Sequence, residues 1–155
     1  LEKLNLAKET ITDVSLTTDI IVGFPGETDK DFEETLNVIR EGQFDAVYMF
    51  KFSPRPGTKA NYMEDEFVEK EVIDSRFMKL KHLQTEISHQ RYKRFIGTQQ
   101  HLLVEKYSKK TDEFLSGKID GGQTTHISSQ NVQIGDYIKV KITDATPFAL
   151  TAVPV

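Results

Sequence analysis

Two short stretches carry side chains that could do chemistry, Gly23-Phe24-Pro25-Gly26-Glu27-Thr28 and Ser53-Pro54-Arg55-Pro56-Gly57. A glycine-containing loop ahead of a helix exposes N–H groups that attract anions, which would suit a phosphate. Three details speak against a nucleoside triphosphate. Pro25 has no N–H, no lysine directly follows Gly26, and Glu27 puts negative charge where a phosphate-binding loop has its cation. The same loop suits a ligand with hydroxyls and an apolar ring, with Ile21 and Phe24 giving surface and Glu27 accepting hydrogen bonds. Equally, it could be a helix-capping turn whose glutamate suits the helix dipole, and the residues alone leave both readings open. In the second stretch two prolines fix φ and remove two donors, so it is a rigid loop. Arg55 in that loop could bind a carboxylate or an RNA phosphate, or form a plain ion pair. His82, His89, His101 and His126 have no metal-like spacing with carboxylates and read as ordinary surface or structural residues. Cysteine is absent.

Those stretches need elements to position them. Leu16 to Val22 is β-branched and apolar and enters the first loop as a buried strand. Thr28 is a good N-cap with Asp31 three residues on, Phe32, Leu36 and Ile39 recur at helical spacing, and Gly42 is expected as the C-terminal cap. Phe44 to Phe52 reads as a second strand. Strand, helix, strand makes a parallel β/α unit, with the proline loop at the second strand's carboxyl end. From about Val68 to Phe95, Ile73, Phe77, Leu80, Leu83 and Ile87 mark one long amphipathic helix, ended by Gly97.

Beyond Gly97 come short β-type runs, His101 to Glu105, Tyr137 to Thr143 and Phe148 to Val153. Turn-rich stretches at Ser108 to Glu113, Asp120 to Gln123 and Gly135-Asp136 separate them. So small a module must protect its strand edges, and a five-stranded barrel of the OB type is the economical solution. The fold class expected is therefore α/β plus all-β, divided into residues 1–66, a linker helix 67–96 and a β-barrel 97–155.

The formal net charge of −4 hides an asymmetry. Residues 1–66 hold 7 Lys/Arg and 14 Asp/Glu, residues 67–110 hold 10 and 5, and residues 111–155 hold 3 and 5. A polyanion should prefer the middle segment, at +5, although a solvated helix face would have the same composition. No apolar run approaches the roughly 20 residues of a membrane span, and the start lacks the features of a secretory signal. A cytoplasmic location is the default.

Thr18-Asp19-Ile20-Ile21-Val22-Gly23-Phe24-Pro25-Gly26-Glu27-Thr28, then Asp31-Phe32, then Phe52-Ser53-Pro54-Arg55-Pro56-Gly57-Thr58, resemble the late barrel of the radical S-adenosylmethionine methylthiotransferases. The long helix, Gly97, Leu103-Val104-Glu105 and Gly135 to Asp144 resemble the linker and TRAM domain that end those proteins. The resemblance implies the last β/α units of a partial radical S-adenosylmethionine barrel followed by an OB-like TRAM barrel. It also implies S-adenosylmethionine as cofactor and two iron–sulfur clusters in a full-length parent, one of them reducing S-adenosylmethionine to a radical. Thiolates are the usual cluster ligands. A chain without cysteine is accordingly expected to be a fragment that holds neither cluster and is inactive alone.

Asp19 and the Ser-Pro-Arg-Pro-Gly-Thr loop look more like the branch that methylthiolates isopentenyl-modified adenosine beside the tRNA anticodon. The branch that modifies a ribosomal protein, and a non-catalytic RNA-binding TRAM module, are the alternatives. Carried over by resemblance, Ile21, Gly23, Phe24, Glu27 and Ser53 are expected at the cofactor. Asp19 and Arg55 are expected at a substrate or cofactor pocket, with a structural carboxylate as the other reading of Asp19. Where the family often has a Gly-Arg-Thr-Arg-type stretch this sequence reads Gly117-Lys118-Ile119-Asp120-Gly121-Gly122, which puts RNA binding by that strand in doubt. Lys106, Lys109, Lys110, Lys118, Lys139 and Lys141 are candidate phosphate contacts. The expected partners are the tRNA anticodon stem-loop and the missing N-terminal part of the same protein.

Overall fold

The β-branched run before Gly23 forms a strand as its composition dictates. The structure, a computed structural model, describes residues 1–108, 114–128 and 131–155. The chain divides into two units, Leu1–Ile87 and Ser88–Val155, so the boundary falls inside the long helix.

In the first unit a short helix α1 (Glu2–Thr10) precedes strand β1 (Thr17–Val22), helix α2 (Asp29–Gly42) and strand β2 (Ala46–Lys51). β1 and β2 pair in parallel, with Asp19 beside Tyr48 and Ile21 beside Phe50. Alternation along β1 turns Ile20 and Val22 to the core and leaves Asp19 and Ile21 exposed on the other face. Two single 3-10 turns, Lys59–Tyr62 and Glu64–Glu66, lead to the long helix α3 (Lys70–Lys93). Val22, Phe32, Leu36, Ile39, Val47, Leu80 and Ile87 form the core of this unit, with Ile73, Phe77 and Leu83 packed against it.

Local chemistry sets the ends. Thr28 and Asp31 form a reciprocal capping box at the start of α2. The C-terminal cap is a correction: the left-handed position belongs to Gln43 (φ 47°), and Gly42 is the last helical residue. Gly42 is small because a Cβ there would collide with the Phe44 ring. Asp45 is buried, and its Oδ2 accepts from the Leu16 N–H at 2.9 Å while its own N–H donates to the Leu16 carbonyl at 2.8 Å. The carboxylate thus ties the approach to β1 to the approach to β2.

The second unit is a closed barrel of five strands, β3 (Gln99–Tyr107), β4 (Phe114–Ile119), β5 (Thr124–Ser128), β6 (Tyr137–Ala145) and β7 (Leu150–Pro154). Their order is β3-β4-β5-β7-β6, antiparallel except for the β5–β7 pair. Leu102, Val104, Leu115, Ile127, Val140, Ile142 and Leu150 are almost wholly buried inside it, closed off with Tyr92 and Phe95. Closure leaves no strand edge unpaired. Three of the strands match the β-type runs of the sequence with shifted ends, and Phe148, expected in the last, is an exposed loop residue. β4 and β5 were not foreseen. Ser116, Gly117 and Lys118 dilute the β pattern of β4, and Gly117 is there because a Cβ would collide with the Leu103 carbonyl, next to a bulge between Val104 and Lys106.

Candidate functional site

The loop after β1 is held from three sides. Gly23 adopts φ +77° and faces Ile73 of α3 so closely that a Cβ would collide with it. The Gly26 N–H donates to the Glu66 carbonyl at 2.8 Å. Glu27 Oε2 accepts from the Gly23 N–H at 2.9 Å and from Arg76 Nη1 at 2.7 Å. Arg76 also donates to the Glu27 carbonyl at 3.0 Å and to Asp29 Oδ1 at 2.8 Å, and its guanidinium lies over the Phe32 ring. Both partners of the Arg76–Glu27 pair are nearly buried, with side chains 7% and 11% exposed. Burial opposes the Arg76 charge, but its hydrogen bonds to Asp29 and Glu27 outweigh that and raise its pKa. The hydrogen bond from Arg76 likewise lowers the pKa of Asp29.

This arrangement aims Phe24 away from the core. Its ring meets Phe52 edge to face at 5.4 Å, and Phe52 meets Phe67 in the same way at 5.7 Å. Along the open face of the β1–β2 sheet, and around the carboxyl ends of both strands, runs a groove of about 630 Å³. Asp19, Ile21, Phe24, Phe50, Phe52, Ser53 and Arg55 are among its lining residues. In open α/β sheets ligands sit beyond the carboxyl ends of the strands, which is where this groove opens. Its aromatic walls can take a flat ring, and Asp19, Ser53 and Arg55 offer an acceptor, a hydroxyl and a cation.

Of the residues expected at a cofactor or pocket, the groove therefore gathers Asp19, Ile21, Phe24, Ser53 and Arg55. Gly23 and Glu27 are not among its lining. Glu27 turns its carboxylate to Arg76 and to the loop backbone, the geometry of a capping and bracing residue. Among the described residues no group of three His, Asp or Glu side chains is placed to hold a metal ion. No helix among them is long and apolar enough to cross a membrane.

On the barrel, strand register puts the candidate lysines on one outer surface. Lys139 stands opposite His101, Lys141 opposite Gln99, and Lys118 and Tyr137 flank Leu103 from its two sides. Beyond the bulge Lys106 pairs with Ser116. All four lysines are exposed. Lys109 and Lys110 lie outside the described residues. The +5 of the middle segment overstates what a polyanion meets. Arg76 is buried in its ion pairs, and Lys70 is bound to Asp74 at 2.7 Å.

Comparison with known proteins agrees with this layout. The TRAM domain family matches residues 93–155, the barrel and the turn of helix before it. A tRNA-2-methylthio-N(6)-dimethylallyladenosine synthase of Corynebacterium jeikeium is 42% identical over 152 residues, 96% of this chain and 30% of that protein. Proteins of the same name from Bacillus pumilus and Finegoldia magna are 43% and 36% identical, each over 97% of this chain and over 29% and 32% of their own lengths. Along nearly its whole length the chain is similar to one part of these synthases. It spans about 30% of the length of these curated relatives.

The structure adds to the loop glutamate the cation that braces it. Arg76 was not singled out in the sequence, yet a signal existed: it lies three residues after Ile73 and four before Leu80, on the apolar stripe of α3. A charged residue on a buried stripe requires a buried partner. Gln84, four residues after Leu80, follows the same logic, its Nε2 donating to the Phe44 carbonyl at 2.9 Å.

Proposed function

We propose that this chain is part of a tRNA methylthiotransferase that adds a methylthio group to isopentenyl-modified adenosine beside the anticodon. In this reading residues 1–66 complete a radical S-adenosylmethionine barrel, 67–96 link it, and 97–155 bind RNA in the cytoplasm. The observation that carries the reading is the match along nearly the whole chain to relatives named for that reaction. The groove supports it. Its aromatic lining suits the adenine of S-adenosylmethionine, and its polar groups suit the charged end of that molecule or the target nucleotide. When bound, S-adenosylmethionine supplies the radical chemistry and the methyl group.

The chain's own residues would bind and orient. Phe24, Ile21 and Phe50 would exclude water along the ring, and Asp19 and Ser53 would hydrogen-bond hydroxyl or amino groups. Arg55, on its rigid proline loop, would fix an anionic group of the target. Glu27 would act at one remove, holding through Gly23 the loop that carries Phe24. Iron–sulfur clusters do not fit this chain, which has no thiolate to hold one. They would have to be held by another part of a longer protein, and the open face of β1 and β2 would pack against that part.

The experiment is a paired assay. A longer protein containing this chain, together with a Cys-x-x-x-Cys-x-x-Cys stretch before it, is reconstituted with iron and sulfide without oxygen and incubated with S-adenosylmethionine and isopentenylated tRNA. Mass spectrometry of the digested tRNA should show the methylthio group, and the 155-residue chain treated in the same way should give none. Product on a ribosomal protein in place of tRNA, or product from the short chain alone, would overturn the reading.

A further inference from the structure

On the outer face of the barrel two rings are stacked and exposed. His101 and Tyr137 lie with centroids 5.3 Å apart and planes 16° from parallel. Tyr137 is 60% exposed, and the side chain of His101 is 51% exposed. They belong to neighbouring strands, and the register makes them a diagonal pair, since His101 faces Lys139 and Tyr137 faces Leu103. The Tyr137 hydroxyl donates to Asp120 Oδ1 at 3.1 Å, so its ring is held in position. Desolvation and that bond to Asp120 raise the Tyr137 pKa, keeping the phenol a donor.

The surroundings select the ligand. Lys139 lies beside His101, Lys118 beside Leu103, and Lys141 one pair further along. Asp120 is the acid that faces this pair, and its carboxylate is engaged by Tyr137. A rigid aromatic plate in a frame of lysines has the two parts of a single-strand nucleic-acid site, stacking surface for a base and cations for its phosphates. Such sites take unstacked bases, because a base inside a duplex has no face to offer.

We infer that His101 and Tyr137 form a stacking platform for one unpaired nucleobase, its flanking phosphates held by Lys118, Lys139 and Lys141. The site rests on the reading that this barrel binds RNA and adds to it a preference for unpaired nucleotides. Ring stacking tolerates all four bases, so the platform contributes affinity for single strands rather than sequence choice.

The test uses the 155-residue chain and a fluorescent single-stranded oligoribonucleotide of about eight nucleotides, within the usual site size of such barrels. Its controls are the same strand with abasic positions and the same sequence as a duplex. Tyr137→Leu, which keeps an apolar strand residue but removes the ring, should weaken single-strand binding by roughly 5- to 150-fold. Tyr137→Phe, which keeps the ring, should bind nearly as the parent chain does. Abasic substitution should reproduce the Tyr137→Leu loss, and Lys139→Gln should weaken single strand and duplex alike. If Tyr137→Leu binds as tightly as the parent while Lys139→Gln does not, RNA is held by its phosphates alone. The platform is then refuted and the RNA reading stands. If the parent chain binds neither RNA and Tyr137→Leu changes its self-association in sedimentation, the face is a protein interface and both readings fail.

Discussion

In the parallel pair β1 and β2 one face is packed under α2 and α3, while the other presents Asp19, Ile21, Tyr48 and Phe50 to solvent. In the barrel every strand has two neighbours and the inner face is filled. Parallel sheets are ordinarily covered on both sides, whereas the first unit leaves open the face of this pair that carries the groove. The barrel's core is complete, and only its outer surface is left to recognise anything. One chain thus carries an open groove in its first unit and a filled, closed barrel in its second.

Breaking the brace of the first unit should have the largest effect. Arg76→Ala would leave the Glu27 carboxylate nearly buried without its cation, and removing one partner of such a pair costs about 3–5 kcal/mol. Chemical denaturation should show this loss in the transition of the first unit, with hydrogen exchange of the barrel amides unchanged. A smaller and opposite contrast comes from deleting methyl groups on the two kinds of surface. Leu150→Ala inside the barrel should cost about 2–5 kcal/mol, whereas Ile21→Ala on the open face should stay within about 0.5 kcal/mol. Equal losses would mean that the β1–β2 face is already covered.

Much of this contrast was legible in the residues. Thr28 with Asp31, and the spacing of Phe32, Leu36 and Ile39, announced α2 and its buried side, because capping chemistry and helical period are local. The groove's lining was legible in part: the residues themselves offered Ile21 and Phe24 as apolar surface and Arg55 on its rigid loop, whereas Ser53 came only from the resemblance. Glu27's partner was not, because Arg76 is 49 positions away and only the packing of α3 brings it to the loop. β4 was missed for a related reason. Gly117 weakens a strand by local propensity, but the bulge in β3 demands it, and a bulge is a property of two strands together.

The smallest effect expected lies on the surface of α3. Lys51 Nζ and Lys70 Nζ both donate to the Asp74 carboxylate, and these bonds, that from Lys51 foremost, lower its pKa from the ordinary 3.8 to about 2. A carboxylate with a depressed folded-state pKa contributes its stability in full above the ordinary value. That contribution fades as the pH falls from about 4 towards about 2. Melting temperatures across this window should fall less steeply for Asp74→Asn than for the parent chain. The exposure of all three groups keeps the difference small.

The division of labour between the internal groove and the external face is tested most directly by measuring turnover at saturating tRNA and tRNA affinity at several salt concentrations. The comparison is made in the longer protein with Arg55→Ala and with Lys139→Gln/Lys141→Gln. The account predicts that Arg55→Ala lowers turnover and leaves affinity close to the parent's, because one positioned cation orients the target without dominating binding. The lysine pair should leave saturated turnover intact, weaken affinity and flatten the salt dependence by roughly 0.7 to 0.9 log units for each phosphate left without its cation. A lysine pair that keeps the parental salt slope, or an Arg55→Ala variant whose loss lies entirely in affinity, would contradict it.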